Sequence, residues 1–176
     1  MQNGNSPYAG LLRLHRPLAS ITVENSYQIS KRVWNQFDFD EMGWHDNVIW
    51  SISFEEDIKF DIDYILKWVE PNEKDNFYKF WISPATLIFH KPAKVIFEIE
   101  LEFSNRIEIY NISKVNEEGI TKYIIETNEG GIEIQTDEYT QIIRKDPILQ
   151  EYQALTIEDR GPISFLDKIE LINNKI

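Results

Sequence analysis

A mainly β fold, α+β only in carrying one short N-terminal helix, is predicted for this chain by three observations. Apolar and polar residues alternate from Asp46 onward, turn residues recur at close intervals, and windows of helical period are few. Hairpins in such succession give an antiparallel meander, folded into a sandwich or a strongly curved open sheet. The 176 residues suit a single domain, with residues 1–22 as a loosely held arm and 42–136 as the β core.

Gly4, Pro7, Gly10 and Pro17 punctuate the arm too often for a long helix. Ser26 is placed to cap the short helix, which runs to about Asn35. Val48, Trp50, Ile52 and Phe54 then share one side of a strand, with Asn47, Ile49, Ser51 and Ser53 on the other. Beyond the polar turn Glu55-Glu56-Asp57, the series Ile58, Phe60, Ile62, Tyr64, Leu66 and Trp68 alternates with Lys59, Asp61, Asp63, Ile65 and Lys67. The two strands pair as a hairpin.

Residues 69–76 form a loop, and a third strand runs from Phe77 to Phe89 with a bend at Pro84, where the missing N–H would interrupt a ladder. Val95, Phe97, Ile99, Leu101 and Phe103 alternate with Ile96, Glu98, Glu100 and Glu102 in the most regular pattern of the chain: one face apolar, the other acidic and wet. A less regular strand follows from Arg106. Two more, Ile120 to Thr127 and Ile132 to Thr136, flank Asn128-Glu129-Gly130-Gly131, whose glycines permit the positive φ of a tight hairpin. The tail has turns at Asp146-Pro147 and Arg160-Gly161-Pro162, then a final strand or short helix from Phe165 to Ile172.

The absence of cysteine removes disulfides, thiolate metal sites and a cysteine nucleophile, and fits a reducing compartment; with no apolar leader in the first residues, the expectation is a cytoplasmic protein. A net charge of −12 opposes nucleic acid and anionic membrane surfaces and favours a basic protein partner. No phosphate loop, G-x-S-x-G elbow, H-E-x-x-H or calcium loop is present, so no cofactor, no metal and no catalytic residue is expected.

Candidate binding residues are Trp44, His45, Asp46, Asp61, Asp63, Trp68 and Trp81. Asp61 and Asp63 lie two apart and so share a strand face, across from Glu55, Ser53 or Ser51; they form either a carboxylate pair for a ligand or the solvent-facing set of an amphipathic strand. The tryptophans either fill the core or line a ligand groove. Glu98, Glu100 and Glu102 form a carboxylate row, a solvated face or a surface for a basic partner. The adjacent His45 and Asp46 resemble the metal-binding pair of the helical HD phosphohydrolases, but those enzymes need further ligands on neighbouring helices, and this chain has only His15 and His90 besides.

Met42-Gly-Trp-His-Asp46, Asp61-Ile-Asp-Tyr-Ile65 with Trp68, and Phe80-Trp-Ile-Ser-Pro-Ala-Thr-Leu-Ile-Phe89 resemble the signature of an uncharacterised bacterial family of stand-alone hypothetical proteins. The resemblance covers the central third of the chain and implies no activity. In its opening His-Asp and β-meander the chain is also loosely similar to small immunity proteins of bacterial toxin systems. Two functions follow as expectations: a non-catalytic binding protein of immunity type with an acidic face for a basic protein, or a small-molecule or carbohydrate binder, even a weak hydrolase, with a Trp-lined groove.

Overall fold

The computed structural model describes residues 26–71, 76–101 and 106–163. Their strands are β1 (Val33–Asn35), β2 (Asn47–Phe54), β3 (Ile58–Val69), β4 (Lys79–Phe89), β5 (Lys94–Ile99), β6 (Ile107–Glu117), β7 (Ile120–Thr127), β8 (Gly130–Gln135), β9 (Tyr139–Ile143) and β10 (Ile148–Gln150). A single turn of 3-10 helix (Phe39–Glu41) and one four-residue helix, α1 (Ile157–Arg160), complete the described elements.

All ten strands belong to one antiparallel sheet in the order β1-β9-β4-β3-β2-β6-β7-β8-β5, with β10 joining β4. The mainly β expectation holds, but the expected sandwich or strongly curved sheet is not formed: hydrogen bonding continues from strand to strand through one sheet that neither closes nor curls strongly. Among the described residues its two wings join through three ladder pairs, Asn47↔Ile109, Val48↔Glu108 and Ile49↔Ile107.

The short N-terminal helix is not formed: Val33-Trp34-Asn35 is β1, paired with β9 from Val33↔Ile142 to Asn35↔Thr140. A β-branched residue beside an aromatic suits an extended half-buried edge, and that packing overrides the capping signal at Ser26. The bend at Pro84 is absent too, since β4 runs unbroken and pairs Pro84 with Asp63. On its other side, β4 pairs β10 at residues 80–82 and β9 at residues 85–89. Pro84 falls in the gap, where a missing N–H breaks no bond and its carbonyl accepts from the Arg144 N–H at 3.0 Å. The expected strand through Phe103 stops at Ile99. The arm, Glu102 and the segment 165–172 lie outside the described residues.

The core lies on one face of the sheet and draws on both wings: Ile49, Phe60, Ile62, Leu87 and Phe89 from one, Ile112, Tyr123, Ile125, Ile132 and Ile134 from the other. Phe39, Trp44, Phe89, Tyr123 and Tyr139 form a network of tilted and edge-on ring pairs with centroids 5.3–6.1 Å apart. Burial there pushes the Tyr123 hydroxyl up to about 12. The opposite face of β3 and β4 carries a smaller cluster, Ile65, Phe80, Ile82 and Leu155, beneath a strap formed by β10 through α1.

Candidate functional site

Three β-bulges among the described residues aim the groups on the strap-covered face. Each inserts one unpaired residue, which exchanges the faces of everything beyond it relative to simple alternation. In β2 the register passes from Ile49↔Ile62 to Ser51↔Asp61, so Trp50 is the extra residue. The expected one-sided set of Val48, Trp50, Ile52 and Phe54 is therefore split: Ile49 and Ile52 face the core, whereas Val48 pairs with Asp63 on the strap side.

In β3 the register passes from Ile65↔Ile82 to Lys67↔Trp81, leaving Leu66 unpaired. Trp68 thereby leaves the face of Phe60, Ile62 and Tyr64 and joins that of Asp61 and Asp63. In β6 the extra residue is Tyr110, whose carbonyl lies 2.9 Å from the Nδ1 of His45.

Asp61 and Asp63 share the strap-side face, and Asp61 stands opposite Ser51. Neither is solvent-facing: both are fully buried. Arg160, itself 3% exposed at the end of α1, donates from Nε to Asp63 Oδ1 at 3.0 Å and from its guanidinium to Asp61 Oδ1. Arg144 donates to the same Asp61 oxygen at 2.5 Å. Asp63 Oδ2 accepts from Trp50 Nε1 at 2.7 Å and from the Leu155 N–H at 2.9 Å.

Burial pushes the Asp63 carboxyl above its usual range, while the Leu155 N–H, Trp50 and Arg160 pull it back. The Arg160 guanidinium also lies 5.1 Å from the Trp50 ring centroid, and Arg106 lies 5.7 Å from it. The two carboxylates are thus held by internal donors under a covering segment, an arrangement that locks the strap and keeps both buried away from a reacting substrate.

Beyond Trp68 the same face opens into a groove of about 600 Å³, lined by the aromatics Trp68, Phe77, Tyr78, Phe80 and Tyr152 together with Asn76, Lys79, Glu151 and Gln153. Trp68 meets Tyr78 at 5.8 Å and 73° and Phe80 at 5.0 Å and 78°. The His45 ring lies parallel to it, 6.2 Å away at 9°. Phe77 is 80% exposed, Tyr152 76%, Tyr78 44% and Trp68 40%, a concentration of bare aromatic surface at one place. The rim is tied to the His45-Asp46 turn: Gln153 donates to Asp46 Oδ2 at 2.6 Å, and Asp46 holds φ 63, a left-handed conformation that Asp tolerates.

The structure therefore brings Trp68, His45 and Asp46 together around the groove and places Asp61 and Asp63 beside it under the strap. It does not bring Trp44 or Trp81 there. Trp44 is buried in the core with Nε1 donating to Gln141 Oε1 at 2.8 Å. Trp81 alternates to the opposite side of β4 from Phe80 and packs on Tyr27, centroids 5.9 Å apart. Glu98 and Glu100 are exposed on and just beyond the edge strand β5, away from both features.

Sequence reasoning missed Arg144, Arg160, Phe77, Tyr78 and Tyr152. Two aspartates interleaved with Phe60, Ile62 and Tyr64 in one strand were the available signal that buried counter-charges come from elsewhere in the chain. No family model, curated protein or solved structure matches the chain.

Proposed function

We propose that the protein is a non-catalytic binding protein whose recognition site is the aromatic groove at the Trp68 end of β3 and β4. The observation that carries this is the cluster of Trp68, Phe77, Tyr78 and Tyr152, all exposed around one groove. Isolated apolar side chains on a surface need no explanation, but four large aromatics converging on a cavity are the make-up of a recognition hot spot. The buried arginine partners of Asp61 and Asp63 support binding over hydrolysis, because a general acid or base must reach its substrate.

The test is capture by the immobilised protein, compared with a Trp68→Ala/Tyr152→Ala variant whose circular dichroism matches wild type. Ligands or proteins retained by wild type and lost by the variant are expected. Identical retention by both would remove the groove from the reading.

A second reading is favoured by a different observation. Glu98 and Glu100 are exposed at the β5 edge of a chain of net charge −12, which suits a basic protein partner held in the manner of an immunity protein. Binding lost steeply with added salt and abolished by Glu98→Lys/Glu100→Lys, with Trp68→Ala neutral, would select it.

A further inference from the structure

Resting on the groove as recognition site, we infer that the rings around Trp68 seat a cationic side chain, lysine or arginine, presented by a segment of a basic protein partner. The rings stand in more than one plane: Tyr78 and Phe80 lie nearly perpendicular to Trp68, and His45 lies parallel to it. Trp68, Tyr78 and Tyr152 keep ring surface exposed around the same groove, and exposed ring faces hold ammonium and guanidinium groups.

The fixed charges around the groove favour the same occupant. Glu151 lines it, and Asp46 stands behind Gln153 at the rim. Lys79 also lines the groove and offsets one of these negative charges, leaving the local balance negative. The chain as a whole carries −12, so a cation approaches down a favourable gradient. Elsewhere the protein seats its own cations on indoles in this way, with Lys31 5.0 Å from the Trp34 centroid and two arginines at Trp50.

A protein segment fits better than a free small cation. The groove, at about 600 Å³, is larger than one ammonium head fills. The outlying Phe77 and Tyr152 offer a polypeptide further apolar contact that a small cation leaves unused.

The experiment uses the full chain carrying fluorotryptophan, with fluorine NMR resolving its five indoles and Trp68→Phe assigning the relevant signal. The probes are three short glycine-flanked peptides bearing lysine, arginine or neutral norleucine, and choline as a free cation. The Trp68 signal is expected to titrate with the lysine or arginine peptide roughly tenfold more tightly than with norleucine, and Glu151→Gln is expected to narrow that margin. Equal binding of norleucine overturns the cation while leaving the groove as a recognition site. Binding of choline alone overturns the protein origin of the cation. No response to any probe overturns the inference, and the separate capture comparison with Trp68→Ala/Tyr152→Ala then decides whether the groove binds anything else.

Discussion

Arg160 donates to Asp63 across 97 positions of sequence, Nε to Oδ1 at 3.0 Å, and both side chains are buried. That one contact joins the centre of the sheet to the end of the strap. Breaking it by Arg160→Met should cost about 3–5 kcal/mol, because two carboxylates lose a buried counter-charge and the strap loses its anchor. Urea denaturation measures the loss. Arg160→Lys should recover only part of it, since a lysine cannot donate to both aspartates with the planar fork.

The pH dependence of stability should carry two opposed contributions. Burial raises the Asp63 carboxyl above its usual value, so its contribution is full below about pH 4 and is lost as pH rises through the raised value. Burial also works against Asp57, but the Lys91 N–H, 3.0 Å away, and the His90 ring outweigh it and lower its pKa. The Asp57 contribution is present above about pH 4 and lost as pH falls through the lowered value. Unfolding free energies measured across the acid range should lose the first slope in Asp63→Asn and the second in Asp57→Asn.

Deleting Leu66 should leave Trp68 in the groove. Leu66 is the unpaired residue of the β3 bulge, so its removal regularises the strand while Ile65↔Ile82 and Trp68↔Phe80 both persist. The cost should be that of losing a half-buried leucine, roughly 1–2 kcal/mol. An unchanged fluorine signal for Trp68 checks the register. A shifted signal with lost groove binding would show that the bulge itself holds the indole in place.

Neighbouring glycines in the β7–β8 hairpin should respond very differently to alanine. A Cβ at Gly130 would stand 2.0 Å from the Glu98 carbonyl oxygen, at φ 133, whereas one at Gly131 meets only the Ile125 carbonyl at 3.8 Å. Gly130→Ala should cost more than about 2 kcal/mol and expose β5 to hydrogen exchange. Gly131→Ala should stay within about 1 kcal/mol.

Much of the sheet was legible because alternation reports local pairing. The β2–β3 hairpin and the β7–β8 hairpin with its glycines follow from period and turn chemistry, and of Glu55, Ser53 and Ser51, left open by the sequence, Ser51 is the residue that stands across from Asp61. What alternation cannot report is a bulge, which leaves the pattern intact while exchanging faces; Trp50 and Trp68 were placed on the wrong side for that reason. Nor does it reveal a distant partner. Asp61 and Asp63 look like a wet face until a segment nearly a hundred residues later covers them, and Arg160 reads in sequence as the start of a turn.

That separation also sets an order of events during synthesis. A ribosome adding about 5–20 residues per second needs roughly 5–20 s to carry the chain from Asp63 to Arg160. For most of that interval the central hairpin can assemble its apolar side while its carboxylates stay hydrated; Arg144 arrives first and serves Asp61 alone. The Asp63 carboxylate waits for Arg160, and a hydrated carboxylate resists the closing of the sheet around it. Completion of the fold is therefore timed by the arrival of one late arginine.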